Sequence, residues 1–299
     1  MTTKKQAAVL GAFVADALSL GVHWVYNTGV IDKKFGRVEH YHDPLTSYHK
    51  GKRAGDFTHY GDQMLVLLES LAESKGFDAR RFARSWREFF SDYTGYFDKA
   101  TKATLENMDS GRKLTQSAST SDDLAGASRM APLVGVYGDD PDQLVRTARS
   151  QTAITHGDDR VIASADFFAR TVFAILDGKE PVSAMEMTLN EHFVGSDIAP
   201  LIRMGLQSKD RDTRETIAEF GQMCSVAVGL PAAVHLVARH GNNFKTAMVE
   251  NVMAGGDSSA RGMLAGMVLA AAHGMAAIPE EWISGLNAGK RIRSILEQL

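Results

Sequence analysis

Two polar segments carry side chains whose types and spacing suit acid–base chemistry. The first, GDFTHYGDQ at 55–63, runs directly into an apolar helix-like stretch. Within one turn, His59, Tyr60 and Asp62 supply a titratable base, a hydroxyl and a carboxylate. Asp62 also suits the N-cap of the following helix, which is a common use of Asp. The density of titratable groups exceeds what capping needs, so we predict that Asp62 and His59 are catalytic.

The second segment, GGDSSAR at the start of a small-residue helix, contains Asp257. A glycine pair at a helix start exposes backbone N–H groups at the positive end of the helix dipole, where a phosphate can bind. Asp257 can instead simply cap the helix, and the motif alone is weak. We predict that Asp257 is catalytic and that Gly256, Ser258 and Ser259 contact substrate.

A third polar segment, ITHGDDR at 154–160, joins two helical patterns. His156, Gly157 and Asp158 are candidates for contacts to a nucleoside. An ordinary helix–loop–helix connection, with Gly ending one helix and Asp capping the next, explains the same residues.

One carboxylate, Asp16, lies in the otherwise apolar run GAFVADALSL. A buried carboxylate must be paired or hydrogen-bonded. Asp16 is therefore either a functional group or a packing residue bonded to a neighbouring backbone N–H.

Apolar residues spaced three and four apart predict the helices that position these groups. The predicted helices are 5–20, 62–75, 78–98, 141–153, 159–178, 183–193, 212–224, 229–240, 243–253 and 258–276. The stretches 27–61 and 109–124 are predicted to be long loops on one side of a single all-α domain. The small face of helix 258–276 predicts a central position in the bundle, with Arg261 pointing outward.

Composition excludes several classes of protein. The 299 residues are 44% hydrophobic and 23% charged, as in an ordinary globular protein. The formal net charge is −3, so the chain lacks the overall positive charge typical of nucleic-acid-binding proteins. The single cysteine, Cys224, excludes an internal disulfide or a Cys-based zinc cluster. Charged residues interrupt the most apolar runs, which argues against a signal peptide or membrane span. We predict a cytoplasmic protein with no nucleic-acid or membrane partner.

Taken in order, the motifs resemble the ADP-ribosylglycohydrolase family. GAFVADALSLG is similar to its GxxxGDALG helix, and Arg129–Leu133, 154–158, 255–257 and 278–282 are similar to its R-x-A-P-L, I-T-H-x-D, G-G-D and I-P-x-x-W elements. The resemblance spans nearly the whole chain. It implies a single orthogonal all-α bundle over residues 1–299.

The family resemblance also implies hydrolysis of an ADP-ribosyl glycosidic bond with two divalent cations, Mg²⁺ or Mn²⁺, held by T-D-D-T and G-G-D-T-D-T motifs. Here HYGD at 59–62 and SSA at 258–260 occupy the aligned positions. Two hard cations need several carboxylates. We therefore predict no family-type metal pair. Asp16, Asp62 and Asp257 are weak candidates for one Mg²⁺ or Mn²⁺, and helices 62–75 and 258–276 are predicted to bring Asp62 and Asp257 together.

Two functions remain open. The first is a hydrolase that cleaves a glycosidic bond of an ADP-ribosyl or related nucleotide-ribose substrate, with an ADP-ribose-like molecule or an ADP-ribosylated protein as partner. Thr58, Tyr60, Gln63, Ser119 and Ser121 are its further predicted substrate contacts. The second is a catalytically silent ADP-ribose-binding or structural protein, because the THYGDQ and SDDLAGASR segments resemble the J1-crystallin branch of the family.

Overall fold

Helices joined by turns and loops account for most of the fold. The computed structural model describes residues 3–299. Its α-helices over that range are α1 (Lys4–Leu20), α2 (Thr28–Phe35), α3 (His59–Ser74), α4 (Ala79–Ser91), α5 (Lys99–Asp109), α6 (Ala125–Ser128), α7 (Ala131–Tyr137), α8 (Pro141–Thr155), α9 (Asp159–Leu176), α10 (Pro181–Thr188), α11 (Ala199–Gln207), α12 (Thr213–Phe220), α13 (Val226–His240), α14 (Phe244–Met253), α15 (Ser258–His273), α16 (Glu280–Gly285) and α17 (Gly289–Leu296). Short 3₁₀ turns lie at Ser47–His49, Leu114–Gln116 and Met275–Ala277, and a π turn lies at Leu189–Phe193. The fold is all-α, as predicted.

The first and fifteenth helices pack against each other at the centre of the bundle. A Cβ placed on Gly11 would lie 2.5 Å from Ala270 Cβ and 2.6 Å from the Gly266 carbonyl oxygen, so only glycine permits this approach. Both helices are buried along most of their length. The central position predicted for helix 258–276 is confirmed, and buried apolar side chains form one contiguous core around it.

Several sequence-predicted boundaries are wrong. The predicted loop 27–61 contains α2, whose first turn is capped by the side chain of Asn27, and the 3₁₀ turn Ser47–His49. The helix predicted over 78–98 ends at Ser91. The helix predicted to begin at Asp62 begins at His59, with Thr58 as its N-cap. The helices α5, α7, α11 and α17 lie outside the predicted set.

Backbone pairing between loops is limited to isolated bridges. In the described part of the chain there is no β-strand, but Val25 pairs with Gly256, Ser119 with His156, and Asp123 with Ser225. Among the helices of residues 3–299, none is long and apolar enough to cross a membrane.

Candidate functional site

Backbone bridges bring three distant loops to the N-terminal end of α15. Trp24 N donates to the Gly256 carbonyl at 2.8 Å, and Gly256 N donates back to the Val25 carbonyl at 2.9 Å. Leu124 N donates to the Cys224 carbonyl at 2.8 Å. These loops therefore hold their side chains in fixed positions around Asp257.

A pair of buried carboxyl groups joined by a tyrosine forms the centre of the site. The Tyr60 hydroxyl lies 3.1 Å from Asp123 Oδ2 and 3.2 Å from Asp257 Oδ2. One oxygen of each carboxyl and the Cys224 sulfur all lie within 4.8 Å of one another. Two carboxyls this close, and this poorly solvated, cannot both ionise easily. At least one of the two carboxyl groups is therefore expected to remain protonated.

The two carboxyl groups differ in their surroundings. Burial, with the nearby charges of Asp257 and Asp98, raises the pKa of Asp123 well above its usual value. Burial also raises the pKa of Asp257, but the Arg261 guanidinium opposes that shift. As the pH rises, Asp257 is therefore the first of the two to lose its proton, and Asp123 remains protonated to higher pH.

Arg261 lies inside the protein and not along the outer face of α15, so the prediction that it points outward is wrong. Its side chain is 1% exposed and donates from Nη2 to the Gly255 carbonyl at 2.6 Å and from Nε to Asn251 Oδ1 at 3.2 Å. The α15 helix is buried on all sides, so no outward face exists at this position. Arg261 supplies positive charge near Asp257.

Three buried histidines form a cluster beside the carboxyl pair. His23 follows α1, His49 ends a 3₁₀ turn and His59 begins α3. One ring nitrogen of each lies within 4.8 Å of the other two. Burial lowers the pKa of His23 well below its usual value and that of His49 to about 3, so both imidazoles are neutral at physiological pH. Hereafter these residues are called the histidine cluster.

Asp16 is satisfied by protein donors. Thr58 donates to it from its backbone N at 2.8 Å and from its hydroxyl at 2.6 Å, and the Ser259 hydroxyl donates as well. The carboxylate is fully buried. The structure favours the interpretation of Asp16 as a packing residue, and it places Thr58 and Ser259 in the same internal network.

Asp62 is bonded to partners other than Asp257, and among residues 3–299 no hydrogen bond or ion pair joins these two side chains directly. Lys52 Nζ donates to both Asp62 oxygens at 2.7 and 2.6 Å, and the Tyr93 hydroxyl donates to Oδ2 at 2.6 Å. Tyr60 and Asp62 are two positions apart on α3, so their side chains leave the helix in nearly opposite directions. The structure gives Asp62 a lysine partner and gives Asp257 the partner Asp123.

Most of the other residues predicted to contact substrate form hydrogen bonds within the protein. Gln63 Oε1 accepts from Trp86 Nε1 at 2.8 Å and also from Arg129. The amides of Gly256 and Ser258 donate to the carbonyls of Val25 and Gly256, at 2.9 Å each, so they are not free to bind a phosphate.

The segment 154–160 contacts the loop that carries Ser119 and Ser121, near the site. The Ser119 hydroxyl donates to the Thr155 carbonyl at 2.7 Å, and Gly157 N donates to the Ser119 carbonyl at 2.8 Å. The Asp158 side chain caps α9, as the structural interpretation of this segment predicts. Ser121 is half-buried and accepts from Asp123 N at 3.2 Å, and buried His156 has Nδ1 2.9 Å from the Thr155 hydroxyl.

Sequence reasoning missed the aromatic rim of the site. Tyr26 and Tyr48 are 48% and 47% exposed, and Tyr48 packs edge-on against Trp24 and Tyr96. Tyr26 directly follows Val25, whose backbone pairs with Gly256, and this pairing places Tyr26 close to the start of α15. Exposed aromatic rings beside a polar floor are typical of sites that stack a planar ring. His23, His49 and Asp123 were missed too, although Asp123 lies in the SDDLAGASR segment.

The described residues do not fit a pair of hard divalent cations. A Cβ on Gly61 would lie 2.1 Å from Asp16 Oδ2, so the carboxylate expected at this motif position has no space. Asp16 already accepts three hydrogen bonds, and the ammonium of Lys52 occupies Asp62. Too few anionic oxygens remain to replace the water shells of two cations.

Comparison with known proteins gives a consistent assignment. A family model described as ADP-ribosylglycohydrolase matches residues 2–299. Crystallin J1A of Tripedalia cystophora is 26% identical, covering 99% of this chain and 96% of that protein. An uncharacterised protein of Archaeoglobus fulgidus is 28% identical, with coverage of 100% and 95%. A solved structure described as an ADP-ribosylglycohydrolase-related protein complex superposes with a TM-score of 0.77 at 24% identity, covering 99% of this chain and 96% of that chain, and shows the same fold.

Proposed function

The chain belongs to the ADP-ribosylglycohydrolase family, and from this premise we propose that it hydrolyses a glycosidic bond of an ADP-ribosyl or related nucleotide-ribose substrate. The observation that carries the proposal is the pair Asp123 and Asp257, held on one tyrosine hydroxyl. Glycosidic hydrolysis commonly uses one protonated and one ionised carboxyl group. This pair supplies both states within one site.

The surroundings assign the two roles. Asp123, with the more strongly raised pKa, donates its proton to the leaving atom of the aglycone as the bond to the anomeric carbon breaks. Asp257, beside the positive charge of Arg261, is ionised and stabilises the positive charge that develops at the anomeric carbon. Asp123, which has lost its proton to the leaving atom, then takes a proton from the attacking water, whose oxygen forms the new bond to the anomeric carbon. Asp123 is therefore protonated again at the end of the reaction.

The rim gives the substrate a place to bind. The half-exposed rings of Tyr26 and Tyr48 stack on a nucleobase, while the ribose lies over the carboxyl pair. This replaces the predicted phosphate site at the start of α15, whose amides are occupied.

A catalytically silent binding or structural protein is the second candidate. Two observations favour it: a relative spanning nearly the whole chain is called a crystallin, and the aligned metal positions lack their carboxylates. In that case the protein retains affinity for ADP-ribose without turnover.

Release of ADP-ribose from arginine- and serine-linked ADP-ribosyl peptides, measured in the presence of a chelator, tests the proposal. We expect turnover by the natural chain and a fall in kcat of about 100-fold or more for Asp123→Asn and Asp257→Asn, the usual scale for lost acid–base catalysis. Asp210→Asn, an exposed carboxylate between α11 and α12, is the matched control.

A measurement of ADP-ribose binding distinguishes the hydrolase from the catalytically silent protein. Calorimetry with ADP-ribose that shows binding, together with no release from any substrate, supports the silent protein. Turnover that survives both Asp→Asn substitutions would show that the carboxyl pair is not the catalytic machinery.

A further inference from the structure

The histidine cluster has no role in the proposed hydrolysis, yet it is one of the most unusual features of the interior. We propose that His23, His49 and His59 together bind one divalent transition-metal ion, with Zn²⁺ as the best match. This site is distinct from the aligned Mg²⁺ or Mn²⁺ positions, because its donors are imidazole nitrogens and not carboxylate oxygens.

Buried ring nitrogens of the histidine cluster without hydrogen-bond partners indicate that the cluster binds a ligand. Both ring nitrogens of His23, Nδ1 of His59 and Nε2 of His49 lack a hydrogen-bond partner among residues 3–299. The three residues are at most 2% exposed. Buried polar groups in native proteins are nearly always satisfied. A bound ion satisfies one nitrogen of each histidine at once.

The geometry is close to that of a three-imidazole site. One nitrogen from each ring lies within 4.8 Å of the other two. In a tetrahedral zinc site, ligand nitrogens are about 3.3 Å apart, as follows from Zn–N bonds of about 2.05 Å. Small side-chain rotations bring the rings to that spacing. Three protein ligands leave the fourth position for water.

Carboxylates lie where the outer partners of metal-bound imidazoles are normally found. Asp98 Oδ2 lies 3.3 Å from His59 Nε2, and Asp257 Oδ1 lies 3.9 Å from His23 Nδ1. A metal-bound histidine commonly has a carboxylate at its second ring nitrogen, which orients the ring and strengthens the ligand.

Neighbouring residues hold the cluster rigidly. The Trp24 ring centroid lies 4.5, 5.7 and 5.3 Å from those of His23, His49 and His59, respectively. The backbone of Trp24 has φ of 61°, a left-handed conformation that is unfavourable for a bulky residue. Such strain persists where the surroundings fix it, and it is concentrated at functional sites.

The donor set selects the ion. Neutral imidazoles suit Zn²⁺, Cu²⁺, Ni²⁺ and Fe²⁺, whereas Mg²⁺ prefers oxygen. A rival set, Asp123, Cys224 and Asp257, also lies within 4.8 Å. Burial raises the pKa of the Cys224 thiol, and a thiol must lose its proton to bind a metal. The histidine cluster is therefore the better site.

Titration of the metal-free full chain with Co²⁺ and Zn²⁺ tests the proposal. We expect one equivalent of Zn²⁺ to bind, with a Kd below about 1 µM. Bound Co²⁺ should show the intense visible absorption of a tetrahedral nitrogen site, without the near-ultraviolet band that a cobalt–thiolate bond produces.

One ligand variant and two control variants test which residues bind the ion. His49→Ala should weaken Zn²⁺ binding by about 100-fold or more, since even outer-shell changes cost 10–100-fold. His42→Ala, in the same loop but outside the cluster, should bind as the natural chain does. Cys224→Ser should also leave the Zn²⁺ affinity unchanged.

Several outcomes would overturn the proposal. These are Zn²⁺ binding no tighter than that of His49→Ala, a thiolate band lost in Cys224→Ser, or octahedral Co²⁺ spectra in the natural chain. None of these readouts uses enzymatic activity, so failure of the metal site and failure of the proposed hydrolysis are distinguishable.

Discussion

Asp16→Asn probes the balance between burial and hydrogen bonding at the centre of the bundle. Burial raises the pKa of Asp16 from 3.8 to about 6, although three donors from Thr58 and Ser259 work in the opposite direction. Because the folded-state pKa is the higher one, ionisation of Asp16 favours the unfolded chain. Its stabilising contribution is complete below about pH 3.8 and is lost as the pH rises through about 6.

The size of the effect follows from the two pKa values. A rise from 3.8 to about 6 corresponds to about 3 kcal/mol between the acid and neutral limits. By about pH 5 about half of this is already lost, so about 1.4 kcal/mol remains to be lost between about pH 5 and about pH 7.5. Asparagine does not ionise. Relative to Asp16→Asn, the natural chain should therefore lose about 1.4 kcal/mol of unfolding free energy over that interval.

Urea unfolding followed by circular dichroism at the two pH values measures this difference. Other titrating groups are shared by both proteins and largely cancel. Asp210→Asn, in a solvent-exposed turn, reports the effect of the same substitution in water. A difference that stays constant with pH, or one in which the natural chain gains stability toward neutral pH, would show that hydrogen bonds outweigh burial at Asp16.

Two further substitutions test the packing around the site by the same unfolding measurement. Gly61→Ala should destabilise the protein by about 2 kcal/mol, because the new Cβ meets Asp16 Oδ2 at 2.1 Å and Phe57 Cβ at 2.8 Å. Gly195→Ala, which meets nothing within 4 Å, should change stability little, and equal effects would contradict the predicted clash. Arg261→Met should cost about 3 kcal/mol because it leaves the Gly255 carbonyl and Asp257 without their buried cation. Arg291→Met, whose side chain is 64% exposed, should cost less than about 1 kcal/mol, and a comparable loss there would refute the argument from burial.

Periodic elements were predictable from the sequence. Long helices such as α8, α9 and α15 bury one face or all of their surface. Because the buried positions are mostly apolar, their spacing in the sequence predicts the helix. The central packing of α15 followed from its glycine and alanine spacing. Asp257 was singled out for the same reason, since it stands at the start of a strongly marked helix.

The composition of the site was less predictable. His23, His49 and Asp123 lie on separate loops that converge only through backbone bridges and tertiary packing, which leave no local pattern. The sequence also gives no sign that Asp62 pairs with Lys52 and Tyr93. Residues two apart on a helix, such as Tyr60 and Asp62, point in nearly opposite directions, so closeness in sequence does not bring their side chains together. The metal, substrate and catalytic assignments stay predictions.

The glycine-mediated contact between α1 and α15 has a consequence for biosynthesis. The two helices are separated by more than two hundred residues of sequence, yet they share a close glycine-mediated contact in the core. While the ribosome is still translating the middle of the chain, α1 has no permanent surface against which to bury its apolar residues. Closing so long a loop is slow, and exposed apolar segments promote aggregation in the meantime. The nascent protein therefore completes its core only after α15 has emerged, and until then the apolar residues of α1 lack their native partner.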